Sequence, residues 1–295
     1  MKSAKSKKLK FLSQLNFNAK SSDYNQIIGG GLPMRSLILM AVLIIASCSN
    51  PVQQNEGGKV KIIKSDTKQT ERLSHVDYNK IFENDIVDGI AVELFEIGKL
   101  NIPTGKIVVC DPLVLPNTPP FTKTVRPGKY PVKIYIAKTK QWGDRYAVAK
   151  LEFSSKKADK WVLATQDGQD IAKLKHEDDY FGFPVDAGLA GFFDYNAGID
   201  YNNFVKNLAV KNPGRDIYDD FLAAEFKKNA KEPNNPDDAG DWINFKIPNT
   251  SNNMVMFRSG YGDGTYPVYW GMTKDNEVVS LVIDFFVLLQ PAEKQ

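Results

Sequence analysis

From Asp77 onward the chain is dominated by positions that alternate in polarity. Val132, Ile134 and Ile136 alternate with Lys133 and Tyr135, and Ala147, Ala149, Leu151 and Phe153 alternate with Val148, Lys150 and Glu152. Successive side chains of a β-strand point to opposite faces, so period-two runs put one face on a core and one toward water. Ile107-Val108-Val109 and Trp161-Val162-Leu163-Ala164 are shorter apolar runs, and Val278 to Leu289 is nearly continuous, as expected of a strand covered on both faces. The segments between them, Arg126-Pro127-Gly128-Lys129, Gln166-Asp167-Gly168-Gln169 and Lys274-Asp275-Asn276-Glu277, carry good turn chemistry.

Helical spacing is concentrated in one insertion. Asp200 is placed to cap a helix through Leu208, with Tyr201, Phe204, Val205 and Leu208 on one face. Asp216 is placed to cap a second, with Ile217, Phe221, Leu222, Ala224 and Phe226 inward and Lys227 and Lys228 at its negative end. Pro233-Asn234-Asn235-Pro236 ends the helical part. With no internal repeat and no second linker, the pattern predicts one α+β domain over 77–295. It is β-rich, mainly antiparallel, with a two-helix insertion around 200–230.

The N-terminal part reads differently. Ten apolar residues, Leu37 to Ala46, follow Met34-Arg35 and run into Ser47-Cys48. This is far short of the roughly 20 residues a bilayer span requires, and it fits the core of a signal peptide. The small residues before Cys48 resemble a bacterial lipobox, which implies acylation (palmitate) of Cys48 as the first mature residue. The expected organisation is a leader and signal peptide over 1–47, with the true start at Met34, then a lipidated Cys48 and flexible polar tether over 48–76. Residues 1–33 are then either a start-site artefact or an extended positive n-region. This reading places the protein in a bacterial cell envelope, held by its lipid anchor, and leaves open which membrane.

Processing alters the charge balance. The whole chain is formally +3, but residues 1–47 carry seven basic side chains and one acid, so the mature part is near −3. The basic balance belongs to the leader, and nucleic acid is excluded as a partner. The aromatic content of 11% and hydrophobic content of 42% exclude a disordered chain.

The only histidines are His75 and His176, and the only cysteines Cys48 and Cys110. That excludes a disulfide scaffold and offers no zinc-ligand spacing, so no metal and no cofactor is expected. Cys110 with His176 and an acid would make a thiol nucleophile, but a lone cysteine beside β-branched residues is the usual pattern of buried packing. Acids are more plentiful. Asp186 and Asp194 flank Ala187-Gly188-Leu189-Ala190-Gly191-Phe192-Phe193, and two facing carboxylates are what glycoside hydrolysis requires. The bland alternative is capping and turn acids. Asp237-Asp238-Ala239-Gly240-Asp241 offers oxygen ligands for calcium but lacks the distal Glu of an EF-hand.

The most distinctive stretch is Arg258-Ser259-Gly260-Tyr261-Gly262-Asp263-Gly264-Thr265-Tyr266-Pro267-Val268-Tyr269-Trp270-Gly271. Together with Asp111-Pro112, Gly128 to Val132, Arg145 to Ala149 and Val185 to Gly188, it resembles the bacterial family called domain of unknown function 4241. The resemblance covers about residues 77–289 and implies no known activity; the family's members are mostly soluble, so the lipobox departs from them. The glycines permit a sharp hairpin turn in which Asp263 satisfies free amides. On the functional reading, Asp263 with Tyr261, Tyr266, Tyr269 and Asp111 lines a cleft for a polar ligand such as a sugar or peptide. The expectation is an envelope lipoprotein that binds a protein or glycan partner without catalysis, for example in a protective or immunity-type role. The alternative is a carboxylate hydrolase of envelope carbohydrate or peptide, using Asp263, Asp186 and Asp194.

Overall fold

The computed structural model describes residues 71–289. The expected leader, the expected lipobox at Cys48 and the expected tether before Glu71 lie outside the described residues. Two antiparallel sheets and a helical layer make up the fold. The larger sheet has the order β1 (Ile86–Val87), β2 (Ile90–Ile102), β4 (Gly128–Thr139), β5 (Gly143–Glu152), β12 (Val278–Asp284), β11 (Gly264–Met272) and β6 (Lys160–Leu163), with β7 (Gly182–Val185) also paired to β11. The smaller has the order β3 (Ile107–Cys110), β8 (Leu189–Asp194), β10 (Asn253–Arg258) and β9 (Trp242–Lys246). Helix α1 is Asn79–Phe82, α2 is Tyr195–Lys211 and α3 is Ala223–Lys227, the last preceded by a π-helical turn, Tyr218–Leu222. The β-rich, antiparallel α+β pattern is as expected, and α2 and α3 form the insertion between β8 and β9.

The smaller sheet is the middle layer. On β10, Val255 and Phe257 point into the core shared with the larger sheet, while Met254 and Met256 point into a second core beneath the helices. On β3, Ile107 and Val109 face the first core and Val108 and Cys110 the second; on β8, Ala190 and Phe192 face the first and Leu189 and Phe193 the second. Ala197 and Tyr201 of α2, Leu222 and Phe226 close the second core. Each large apolar side chain buried this way contributes on the order of 1.5–3 kcal/mol.

The two sheets are also joined at an edge. The Asn253 side chain accepts from Asn101 N–H at 2.9 Å and donates to the Lys99 carbonyl at 3.0 Å, so it serves the edge of β2 as a neighbouring strand would. At the opposite edge of the larger sheet, Arg72 to Ser74, which sequence pattern assigns to the tether, pair with β6: Leu163 N–H donates to the Arg72 carbonyl and Ser74 N–H to that of Trp161.

Three local expectations are corrected. Helix α2 starts at Tyr195, capped by Asp194, whose carboxylate accepts from Asn196 N–H at 2.9 Å; Asp200 lies inside it. The reason is local, since Asp194 ends β8 in extended backbone and the chain turns helical directly after it. Asp216 does act as a cap, accepting from Tyr218 N–H and Asp219 N–H, but the turn it caps is π-helical and only then gives way to α3. The apolar run from Val278 is a strand only to Asp284, where the side chain accepts from Phe286 N–H and the backbone turns to φ +56 at Phe286.

The outer face of β4 and β5 is less watery than alternation alone predicts. Phe82 of α1 stacks on Tyr135 with ring centres 4.6 Å apart, and Tyr78 meets Trp161 edge-on at 5.1 Å. Helix α1 is held by two buried hydrogen bonds, from the Tyr78 hydroxyl to Asp284 Oδ2 at 2.8 Å and from Asn79 Nδ2 to the Ala158 carbonyl at 2.9 Å. Burial pushes the Asp284 carboxyl up to about 6, against the hydrogen bonds from Phe286 and Tyr78 that favour its ionised form. The folded state therefore holds this proton more tightly than the unfolded chain. Stability linked to Asp284 is fully present below pH 4 and is lost as pH rises through about 6, by roughly 3 kcal/mol in all. Denaturant titrations of wild type and Asp284→Asn at pH 4, 5, 6 and 7 check this: the stability difference between them should shift by about that amount, and parallel curves would contradict it.

Candidate functional site

The glycine-rich segment is not a hairpin turn. It carries the chain from β10 in the smaller sheet to β11 in the larger one. Two of its glycines are required. Gly260 has φ +33 and a Cβ there would lie 2.7 Å from the Phe285 side chain, while Gly262 has φ +108. The loop is braced from below, because Tyr266 Oη and Ser259 Oγ both donate to the Gly262 carbonyl at 2.8 Å. Ser259 N–H donates to the Gly188 carbonyl at 3.1 Å, tying the crossing to the turn between β7 and β8.

This bracing presents Tyr261 and Asp263 to water. Tyr261 is 53% exposed with the Arg145 guanidinium 5.8 Å from its ring centre, and Asp263 is exposed with its carboxylate unbonded among the described residues. The ladder between β7 and β11 ends at Val185 opposite Gly264, so Asp186 and Asp263 stand next beyond its last pair, and Asp186 is exposed too. Tyr266 is buried as part of the brace. Tyr269 lies three positions along β11, hence on its opposite face, where its ring sits 5.8 Å from Tyr78. The three tyrosines do not line one cleft.

Asp111 and Asp194 are fully buried and act on main-chain amides. Asp111 accepts from Asp186 N–H at 3.1 Å, Ala187 N–H at 2.7 Å and Leu113 N–H at 3.0 Å, joining the end of β3 to the β7–β8 turn below Asp186. Burial pushes its carboxyl up, opposed by those three bonds. Asp194 accepts from Asn196 N–H and from both the amide and hydroxyl of Thr104, at 2.9 and 2.6 Å. Asp194 ends β8 opposite Ile107, whereas Asp186 is tied to Asp111 at the other end of β3; at a strand rise of ~3.3 Å per residue, the step from Ile107 to Asp111 is roughly 13 Å. That exceeds the roughly 5–9.5 Å a carboxylate pair needs across a glycosidic bond.

Two weaker candidates have structural explanations. Cys110 is fully buried in the second core, and burial holds its thiol far above the usual range, whereas His176 lies on an exposed loop. In the Asp237–Asp241 loop, Lys227 Nζ donates to the carbonyls of Asn235 and Asp238, so an ammonium already supplies the positive charge there. Asp238 accepts from Glu232 N–H and Gly240 N–H, and Asp241 pairs with Arg258 at 3.0 Å. Among the described residues no group of three or more His, Cys, Asp or Glu side chains is placed to hold a metal ion. The polar cluster that pattern reading missed is Asp284 with Tyr78, whose partners lie 206 positions apart.

A family model described as "Protein of unknown function (DUF4241)" matches residues 100–283, and the chain belongs to that family. The match runs from the end of β2 into β12 and includes both sheets, the helical insertion and the glycine crossing. No curated protein and no solved structure matches the chain.

The two kinds of acid should respond differently to substitution. Asp111→Ala leaves three amides without their acceptor and should cost about 2–4 kcal/mol. Asp263→Asn should change stability by less than about 0.5 kcal/mol. Thermal melts of both variants check the contrast, and equal losses would contradict it.

Proposed function

We propose that the chain is a lipid-anchored protein of a bacterial cell envelope whose β-rich domain binds a protein or polar ligand without catalysing a reaction. The lipobox ending at Cys48 supports the anchor. The observation that carries the binding reading is the braced crossing loop, which holds Tyr261 and Asp263 outward while the buried acids Asp111 and Asp194 are committed to backbone amides. An exposed aromatic ring beside a carboxylate and a guanidinium is a recognition surface: the ring supplies area and the charges select a partner. A protective or immunity-type role fits a tethered module of this kind.

One observation favours the alternative, a carboxylate hydrolase of envelope carbohydrate or peptide. Asp186 and Asp263 end neighbouring strands, both exposed. Against it, neither acid has the apolar enclosure that prepares a general acid.

Replacing Cys48 by Ser should move the protein from the membrane fraction to the soluble fraction. A protein that stays with membranes would overturn the anchor. For the second half of the proposal, wild type and the Asp186→Asn, Asp263→Asn double variant should both release no product from purified envelope material. Release by wild type that the double variant abolishes would establish the hydrolase instead.

A further inference from the structure

A second concave surface lies apart from the glycine crossing, between α2 and the turn that joins β9 to β10. It is a groove of about 310 Å³, at the lower end of the range of small-molecule sites. One wall is a single face of α2, with Asp200, Asn203, Asn207 and Lys211 at helical spacing and Phe204 and Leu208 between them. The other wall is Pro248, Asn249 and Thr250.

Both walls are preorganised. Thr250 Oγ1 donates to the Ile247 carbonyl at 3.0 Å and accepts from Asn252 N–H at 3.1 Å, and Asn249 holds the left-handed conformation at φ +63. Asn252 Nδ2 donates to Asp200 Oδ2 at 2.7 Å, bridging turn to helix and fixing the carboxylate. The Phe204 ring is steadied by Phe245, with centres 5.6 Å apart. By contrast, Asn203, Asn207 and Lys211 make no side-chain hydrogen bond among the described residues, and Asn252 Oδ1 is buried without a partner.

The chemistry of this lining selects a ligand class. One carboxylate and one ammonium sit at opposite ends, so the groove favours neither a polyanion nor a polycation. Between them the amides of Asn203 and Asn207 present donors and acceptors side by side, which suits a ligand whose own groups both donate and accept. The half-buried Phe204 offers a flat apolar surface beneath them. We infer that the groove between α2 and the 248–250 turn binds a short uncharged oligosaccharide, its hydroxyls bonded by Asn203, Asn207 and Asp200 and one sugar face laid on Phe204. This deepens the binding reading by naming a ligand class at a site other than the glycine crossing, and it rests on that reading.

The test uses the full chain and two probes, a glucose trisaccharide and an N-acetylglucosamine trisaccharide, with triglycine as the contrast, titrated by calorimetry at millimolar concentration. Asn203 and Asn207 are exposed helical positions, so the Asn203→Ala, Asn207→Ala double variant should melt no lower than wild type. Binding of either sugar by wild type, weakened at least tenfold in that variant while Trp142→Ala, which removes an exposed aromatic on the turn between β4 and β5, binds normally, supports the proposal. No sugar binding, binding of triglycine alone, or sugar binding unchanged in the double variant overturns it. Chromatography of the recovered sugar separates the two levels: intact sugar keeps the binding reading, and sugar cleaved by wild type but not by the double variant ends the non-catalytic reading while upholding the groove.

Discussion

The fold depends on a sheet that has no face in water. Strands β3, β8 and β10 send successive side chains alternately into the core shared with the larger sheet and into the core under the helices. A shift of one residue in any of these strands would exchange Phe192 for Phe193, or Val255 for Met254, between the two cores. Register is therefore fixed from both sides. Once it is fixed, Asn253 reaches the edge of β2, Asp194 sits at the start of α2, and the chain must leave β10 through the glycine crossing to reach the larger sheet.

Carboxylates act as the joints between these layers. Asp111 ties the end of β3 to the β7–β8 turn, Asp194 ties the loop at Thr104 to the first turn of α2, and Asp284 ties α1 to the end of β12. Each accepts two or three hydrogen bonds in a buried setting, where an unsatisfied amide costs about 1–3 kcal/mol. Acids committed in this way are poor candidates for chemistry. The polar residues these joints leave exposed include Tyr261 and Asp263 on the crossing and Asn203 and Asn207 on α2.

The strands were legible because alternation and apolar runs are local properties. Ile107 to Val109, Val132 to Ile136 and Ala147 to Leu151 are strands for the reason their pattern gives. The start of α2 was not legible from Asp194, because an acid at the end of an apolar run reads equally as a catalytic group and as a cap. The glycine segment reads as a hairpin since Asp-Gly is hairpin chemistry, and nothing local says that the next strand belongs to another sheet. Of the candidate site, Tyr261 and Asp263 are exposed, as residues of a polar loop are expected to be. The burial of Tyr266 and Asp111, and the placing of Tyr269 on the opposite face of β11, come from tertiary packing. The Tyr78–Asp284 bond lies beyond any sequence window.

Native-state hydrogen exchange tests the central claim, that the buried acids are structural joints, most directly. The amides of Ala187, Asp186, Thr104 and Asn196 should exchange as slowly as those of β8 and β10, opening only with the whole domain. Exchange of these amides many-fold faster than the strands, with the strands still protected, would mean that the Asp111 and Asp194 carboxylates are free in the folded protein and would contradict the account.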